Sequence, residues 1–476
     1  MATPTLQVTG YRGVWGDTLT AEIAQKYVYA YAQFIKESSG NKPTILIGRD
    51  GRASGRTIAD AIIPVLESVG INVIDGDILP TPTIMFAVNK YNYDGAVIIT
   101  ASHNPIEYNG VKFVVQGGRL TNESERDKIK SYLASQEEGR GNIAGEGLLG
   151  ATATKLREFS AENSRALNSN IPSPQTIPNF PKEHADHILN YINVEAVRAR
   201  KFKVAVDMIN ASACVVDPYL FEQLGVELVP INNVPNGEFA HKPEPTIENL
   251  AETGKMVKEC GADIGFAHDP DADRMVIINE EGVVISEEYT LGFGAELILS
   301  KNPGRNVVVN MSTSQLIPDI AEKYGSKCIR TKVGEANVMN GMTENDAIVG
   351  GEGTSGVIFP TLNNCRDSFV SLTLALQLLA ERNQTVTECV NSLPMYFMKR
   401  GKWPVGNDLE AIYKKLKDHF VNGKFNEEDG LRVDLPDKSW IHIRPSITEP
   451  IIRMFTEGTS MRATEELFNE AQKIIS

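Results

Sequence analysis

One order of elements recurs three times along this chain, and that recurrence constrains the fold more than any other feature of the sequence. First, the apolar run Thr44-Ile45-Leu46-Ile47 ends in the polar turn Gly48-Arg49-Asp50. A helical periodicity over 54–69 follows (Ile58, Ile62, Val65, Leu66), with Pro64 placed to kink it and Gly70 to stop it. Ile71–Asp75 reads as a second strand, 81–91 as a helix and Ala96–Ile99 as a third, fully apolar strand. The order returns as strand Lys203–Asp207, helix 214–224 ended by Gly225, and strands Val226–Val229 and Ala262–Ala267. It returns again as Asn306–Asn310, helix 314–324 ended by Gly325, Lys327–Arg330 and Asp346–Val349. Strands alternating with helices imply mostly parallel sheets flanked by helices. Each third strand runs into a loop loaded with reactive side chains, at Ser102, Asp269 and Glu352. Open α/β sheets place their ligands at that end of the strands.

The rest of the chain reads differently. Residues 134–180 are rich in Ser, Gly, Asn and Pro, which predicts a loop or extended linker. A helix over about 182–199 opens the second unit, with His184, Asp186 and His187 expected on a solvated face. From 397 the pattern becomes α+β: helix Leu409–Val421, alternating strands Asp429–Leu435 and Ser439–Arg444, and a closing helix over 462–475. The fold class expected is therefore α/β. Three similar α/β/α domains with mixed, mostly parallel sheets (1–180, 181–288, 289–396) and a smaller α+β domain (397–476) would surround a central cleft. The net charge of −14 argues against a nucleic-acid partner, and requires any anionic substrate to find a locally positive site. No apolar segment approaches membrane-spanning length, and the N-terminus lacks a basic stretch followed by an apolar run. Five scattered cysteines without CxxC spacing fit reduced thiols, hence a cytoplasmic protein, expected as a monomer or homodimer.

Four loops carry the chemistry. After Ile99, Thr100-Ala101-Ser102-His103-Asn104-Pro105 makes a tight turn that exposes a hydroxyl beside an imidazole, with Lys112 ten residues on. His268-Asp269-Pro270-Asp271-Ala272-Asp273-Arg274 sets three carboxylates two residues apart, and such carboxylates repel unless a cation joins them. Hard oxygen donors at that density suit Mg²⁺, whereas the glycine and distal glutamate of a calcium-binding EF-hand are missing. Gly350-Gly351-Glu352-Gly353-Thr354-Ser355-Gly356 offers one carboxylate and two hydroxyls able to exchange hydrogen bonds with a sugar. Arg444-Pro445-Ser446-Ile447-Thr448-Glu449-Pro450-Ile451-Ile452-Arg453 offers two guanidinium forks suited to phosphate oxygens. Arg12, between Gly10 and Gly13, is a further candidate for approaching a phosphate.

Together these loops resemble the α-D-phosphohexomutases, with the four motifs in family order across nearly the whole chain. Thr100–Pro105 is similar to that family's phosphoserine loop. The resemblance implies a mutase that interconverts hexose 1-phosphate and hexose 6-phosphate by reversible phosphoryl transfer. Ser102 would carry the phosphoryl group, the intermediate would be a bisphosphorylated sugar, and a sugar bisphosphate would serve as activator. It implies Mg²⁺ held by Asp269, Asp271, Asp273 and the Ser102 phosphate, with Arg274 closing the motif. Lys112 matches a position given to acid/base work, and His103 would orient the loop or touch phosphate. Glu352, Ser355 and Glu335 (in Thr331-Lys332-Val333-Gly334-Glu335) would recognise the sugar. Arg444, Ser446, Thr448 and Arg453 would grip the phosphate that is not reacting. Two departures stand out. The histidine that many members carry after the sugar loop's last glycine is Val357 here, so no acid/base group is expected from this loop, and the phosphate loop's usual glycine is Ile447. Two other readings remain open from residues alone. One is a metal-dependent phosphatase with an aspartate nucleophile, which would not need Ser102. The other is a non-catalytic sugar-phosphate sensor. The sugar itself, glucose, mannose or glucosamine, is not legible.

Overall fold

In the computed structural model the three recurrences become three sheets with the same strand order. The structure describes residues 10–39, 42–141, 178–354, 356–404, 408–446 and 451–475. In the first sheet Thr44–Arg49 lies between Asn72–Ile78 and Gly95–Ile99, parallel to both. Tyr108–Val115 then turns back antiparallel beside Gly95–Ile99, and Tyr11–Val14 pairs with its outer edge. The second sheet repeats this with Lys203–Asp207 between Glu227–Ile231 and Ile264–His268, and Met275–Ile278 returning. The third does so with Val307–Asn310 between Cys328–Thr331 and Val349–Glu352, Gly356–Phe359 returning and Asn363–Asp367 at the edge. Each loaded loop is therefore the turn-back after a fully buried strand, at the carboxyl ends of the parallel strands. The fourth, returning strand of each unit, absent from the sequence reading, is what folds these loops over the sheet edge.

Packing holds the second and third sheets in one frame. A single apolar cluster joins Ile264, Phe266 and Ile277 of the second sheet to Val307, Val309 and Val349 of the third. Helices Glu288–Lys301 and Ser368–Arg382, buried on almost every side, lie within it. Each fully buried leucine or phenylalanine contributes roughly 1.5–3 kcal/mol, so sliding these two units apart would expose a large part of the core. The loops after Ile264–His268 and Val349–Glu352 are thus fixed in mutual position. A Cβ on Gly356 would lie 2.9 Å from the Asp273 carbonyl oxygen, which leaves only glycine at that crossing.

The C-terminal unit is an all-antiparallel sheet in which Phe397–Pro404, Ile451–Gly458, Trp440–Pro445, Leu431–Asp434 and Lys424–Asn426 lie in that order. Alternation decides its two faces. Leu431, Val433, Ile441, Ile443, Ile452 and Met454 pack against helices Leu409–His419 and Met461–Ile475. Arg432 and His442 point the other way, into the third unit: the Arg432 guanidinium donates to the Met311 carbonyl, and His442 Nδ1 lies 2.9 Å from Ser312 Oγ.

Several local expectations change. The helix over 182–199 is two helices, Phe180–Leu189 and Val194–Arg200, the second capped by the Asn193 side chain on the Ala196 amide. His184 is not on a solvated face. It is fully buried, with Nε2 2.9 Å from Asp367 Oδ2 and Nδ1 3.0 Å from Thr83 Oγ1, so it bridges the first three units. Helix Glu123–Gly141 takes the first part of the expected linker 134–180, and 142–177 lie outside the described residues. Pro64 sits inside helix Ala53–Ser68 without ending it. Arg12 is on a strand rather than in a turn, opposite Gly110.

Burial drives the His442 pKa down to about 3, with Arg432 and Arg444 adding to the effect. Its neutral ring donates from Nε2 to the Asp429 carbonyl at 2.7 Å and accepts from Ser312. The unfolded chain binds this proton first, so stability is full above the ordinary histidine pKa of 6.5 and is lost as pH falls toward 3. The slope reaches about 1.4 kcal/mol per pH unit. Urea midpoints followed by the fluorescence of neighbouring Trp440 should fall over this range in the wild type, and His442→Gln should remove that component.

Candidate active site

The first functional loop is built around a buried arginine. Ser102 adopts a left-handed backbone with φ 51°, a conformation that costs a non-glycine residue about 1–2 kcal/mol. Arg52 and Thr100 hold it there. Thr100 Oγ1 accepts the Ser102 amide at 2.8 Å and donates to Asp50 Oδ2 at 2.6 Å. Arg52, fully buried, spends all five of its N–H groups here, four on carbonyls of the 102–108 stretch and one on Asp50. Nη2 donates to the carbonyls of Ser102 and Asn104, both at 2.7 Å. Nη1 donates to those of Pro105 (2.6 Å) and Tyr108 (3.0 Å), and Nε to Asp50 Oδ2 (3.0 Å). Phe239 of the second unit covers the guanidinium at 4.9 Å. The sequence reading did not single out Arg52; its signal was a charged Asp50-Gly51-Arg52 turn at the end of a buried central strand.

The aspartate loop meets Ser102 directly. Ser102 Oγ donates to Asp269 Oδ2 at 3.0 Å and lies 3.3 Å from His103 Nδ1. Lys112, on the strand that returns from the serine loop, places Nζ 2.6 Å from Asp271 Oδ2 and 3.7 Å from Asp273 Oδ2. Thr81 Oγ1 also donates to Asp271 Oδ2 at 2.7 Å. Carboxylate oxygens of Asp269, Asp271 and Asp273, all buried, lie within 4.8 Å of one another. Asp271 and Asp273 each give one oxygen to a protein cation and keep the other, Oδ1, buried with no hydrogen-bond partner among the described residues. Oxygen-only donors with two such orphaned atoms fit a small divalent cation.

Electrostatics follow from this crowding. Burial and the charges of Asp271 and Asp273 push the Asp269 carboxyl well above its ordinary range. Burial also raises Asp271 and Asp273, but Lys112 overrides it at the first and Arg366 at the second, leaving both below the usual carboxylate value. Burial lowers the Lys112 ammonium, yet Asp271 and Asp273 bring it out above the ordinary lysine value, so it keeps its proton. Arg274 first, then burial and Arg12, hold His103 well below the usual histidine range. Arg12 donates to Asn104 Oδ1 at 2.9 Å, and its own pKa falls to about 10 through burial. Inside an acidic protein the site is thus locally rich in cations.

The sugar loop joins through Arg366, the other residue absent from the sequence reading. Nη2 is 2.8 Å from Asp273 Oδ2, Nε 2.8 Å from Glu335 Oε2 and Nη1 3.6 Å from Glu352 Oε2. Glu352 Oε1 accepts from Asn310 Nδ2 and from the Gly334 amide, both at 2.8 Å, which ties the 331–335 segment to it. Val357 is fully buried in the apolar core and packs close to the Gly294 backbone. Arg444 and Arg453 are not within one loop. They stand opposite each other on antiparallel strands Trp440–Pro445 and Ile451–Gly458. Burial lowers the Arg444 pKa; the charges of Asp429 and Glu352 oppose that, so Arg444 lies within reach of the Glu352 charge. Ser446 follows at the start of the turn, while Thr448 and Ser355 lie outside the described residues.

A serine hydroxyl set against a caged carboxylate trio, at the loop ends of three repeated α/β sheets, is an arrangement suited to phosphoryl transfer. The chain belongs to the phosphoglucomutase/phosphomannomutase family. It matches that family's alpha/beta/alpha domain I over 5–140, domain II over 182–282, domain III over 287–397 and C-terminal domain over 399–474. It is 35% identical to a phosphoglucomutase/phosphomannomutase of Thermococcus kodakarensis, over 98% of this chain and 97% of that one. It is 30% identical to a phosphoglucosamine/phosphogalactosamine mutase of Sulfurisphaera tokodaii, over 98% of each. A crystal structure of a phosphoglucomutase/phosphomannomutase family protein from Burkholderia thailandensis superposes with a TM-score of 0.80 at 25% identity, covering 98% of this chain and 96% of that one. These relatives do not support the phosphatase and sensor alternatives.

Lysine at position 52 supplies three donors from a point charge where five are used from a planar fork. Arg52→Lys should therefore let the serine loop drift and lower kcat by about 10²-fold with KM little changed. Steady-state kinetics on the purified variant, beside a thermal melt showing that it folds, checks this.

Proposed function

We propose that this mutase interconverts hexose 1-phosphate and hexose 6-phosphate through a phosphorylated Ser102. The observation that carries the reading is the 3.0 Å contact of Ser102 Oγ with Asp269 across the boundary between two units. It sets a hydroxyl at the edge of a site whose carboxylates can hold a divalent cation. In the forward half-reaction the P–O bond to Ser102 breaks, and a P–O bond to the free sugar hydroxyl forms. The sugar turns over as a bisphosphate, and the reverse transfer from its other end restores phosphoserine. The hydroxyl proton needs an acceptor at each transfer. Neutral His103, 3.3 Å from Ser102 Oγ, is suited to accept, and Lys112, kept charged by Asp271, is suited to donate. Asp269, Asp271, Asp273 and the serine phosphate would hold Mg²⁺, which when bound offsets the charge that develops on the transferring phosphoryl group. Glu335, Glu352 and Ser355 would hold the sugar hydroxyls. Arg444, Ser446, Thr448 and Arg453 would hold the far phosphate, with Arg12 and Arg274 beside the near one.

The relatives' names cover glucose, mannose and glucosamine phosphates, and the substrate is drawn from that class, with a sugar bisphosphate as activator. Five free cysteines fit a cytoplasmic enzyme, and no helix among the described residues is long and apolar enough to cross a membrane.

Turnover of the three hexose phosphates should require both Mg²⁺ and a trace of bisphosphate, and should stop on chelation. Ser102→Ala should abolish it and the mass gain of one phosphoryl group that wild type shows after bisphosphate treatment. Wild-type rates in that variant would refute the covalent route. Arg453→Ala should raise KM about tenfold or more with a smaller change in kcat, because a charge-assisted phosphate contact contributes about 1.5–3 kcal/mol; a loss confined to kcat would exclude the gripping role.

A further inference from the structure

Arg366 sits where the cation site and the sugar loops meet, and neither loop supplies it. It comes from the edge strand Asn363–Asp367 and is only 6% exposed. Its next neighbour, Asp367, is pinned by His184 at 2.9 Å and caps helix Ser368–Arg382 through the Phe369 and Val370 amides. The strand therefore has little freedom to move. One guanidinium reaches three carboxylates from three separate segments: Asp273 of the aspartate loop, Glu335 at a helix start and Glu352 of the sugar loop. Two of the contacts are 2.8 Å hydrogen bonds, while Nη1 is 3.6 Å from Glu352 and has no hydrogen-bond partner among the described residues. The sugar loop makes room for it. A Cβ on Gly356 would lie 2.9 Å from Arg366 Cβ, so the arginine side chain fills the space that a side chain at 356 would take.

Lys112 and Arg274 stand 3.7 Å from Asp273, but Arg366 alone of the three also reaches Glu335 and Glu352, and its one charge is divided among three buried carboxylates. While the aspartate trio lacks its cation, Asp273 draws on that charge. A cation on the trio takes over part of the demand of Asp273, and the guanidinium is then free to serve Glu335, Glu352 and whatever those carboxylates hold. We infer that Arg366 is a positioning residue that couples the two halves of the site, so that a divalent cation and a hexose phosphate each strengthen the binding of the other. The inference rests on the proposed assignment of the aspartate loop to metal and of Glu335 and Glu352 to sugar.

Calorimetry on the full-length protein tests it. The Mg²⁺ affinity is measured alone and with saturating glucose 1-phosphate, the bisphosphate activator being left out so that little turnover intrudes. In the wild type the sugar phosphate should tighten Mg²⁺ at least about fivefold, within the usual range of such couplings. In Arg366→Gln most of that factor should vanish, and KM for the sugar phosphate should rise more than kcat falls. Arg366→Lys keeps the charge without the fork and should lose most of the coupling as well, which covers the case in which the glutamine variant does not fold. Coupling that survives in a folded variant, or a wild type with no coupling, would overturn the inference. A wild type that binds no Mg²⁺, or that turns over no hexose phosphate, would instead overturn the functional reading beneath it.

Discussion

Three buried carboxylates within 4.8 Å of one another are the constraint on which the rest of this structure depends. In a dry interior they cannot all ionise unless positive charge surrounds them. The chain brings that charge from different places: Lys112 from the first unit, Arg274 from the aspartate loop itself, Arg366 from the third unit. Lys112 and Arg366 each hydrogen-bond one oxygen and Arg274 stands 3.7 Å from Asp273 Oδ1, yet Oδ1 of Asp271 and of Asp273 stays buried without a hydrogen bond among the described residues. The protein thus neutralises its acidic loop only in part, and the residual demand is what makes the site suited to a divalent ion. It also makes the site depend on all of these units being docked, because removing one of them removes one of the cations.

The repeated sheet explains how such a site can be assembled from distant sequence. A buried strand followed by an antiparallel return throws its connecting loop over the carboxyl edge of the sheet, and the chain does this three times. The first loop is rigidified from behind by Arg52, which turns a left-handed serine into a fixed nucleophile position. The second and third are fixed relative to each other by a common apolar core. The fourth unit differs. It is held to the third by polar contacts such as Ser312 to His442 and the Val333 amide to Asp429 (2.8 Å). Those contacts hold less apolar surface than a shared core does.

Much of this was legible from residues in order. Apolar runs ending in small polar loops marked the third strands, since a strand buried on both faces needs such a run and its end is where chemistry sits. The Asp-Pro-Asp-Ala-Asp spacing marked a cation site because carboxylates that close make little sense without one. Other parts were opaque for physical reasons. Arg12 reads as a turn arginine until its strand pairs with Tyr108–Val115, ninety-odd residues away. Arg453 reads as part of a loop until strand register sets it opposite Arg444. His184 reads as a solvated helix residue until Thr83 and Asp367 close over it.

What the sequence alone determined is therefore the list of local elements, the repetition and the kinds of group at each loop, because propensity, periodicity and turn chemistry are properties of neighbouring residues. Only the tertiary structure decided which charge meets which. Arg366 carries no local signature and Arg52 only that of a charged turn after a buried strand, since their roles lie in carbonyls and carboxylates supplied by other segments. A guanidinium is a partner only where folding has brought its acceptors, and that is set by how three sheets and a shared core pack.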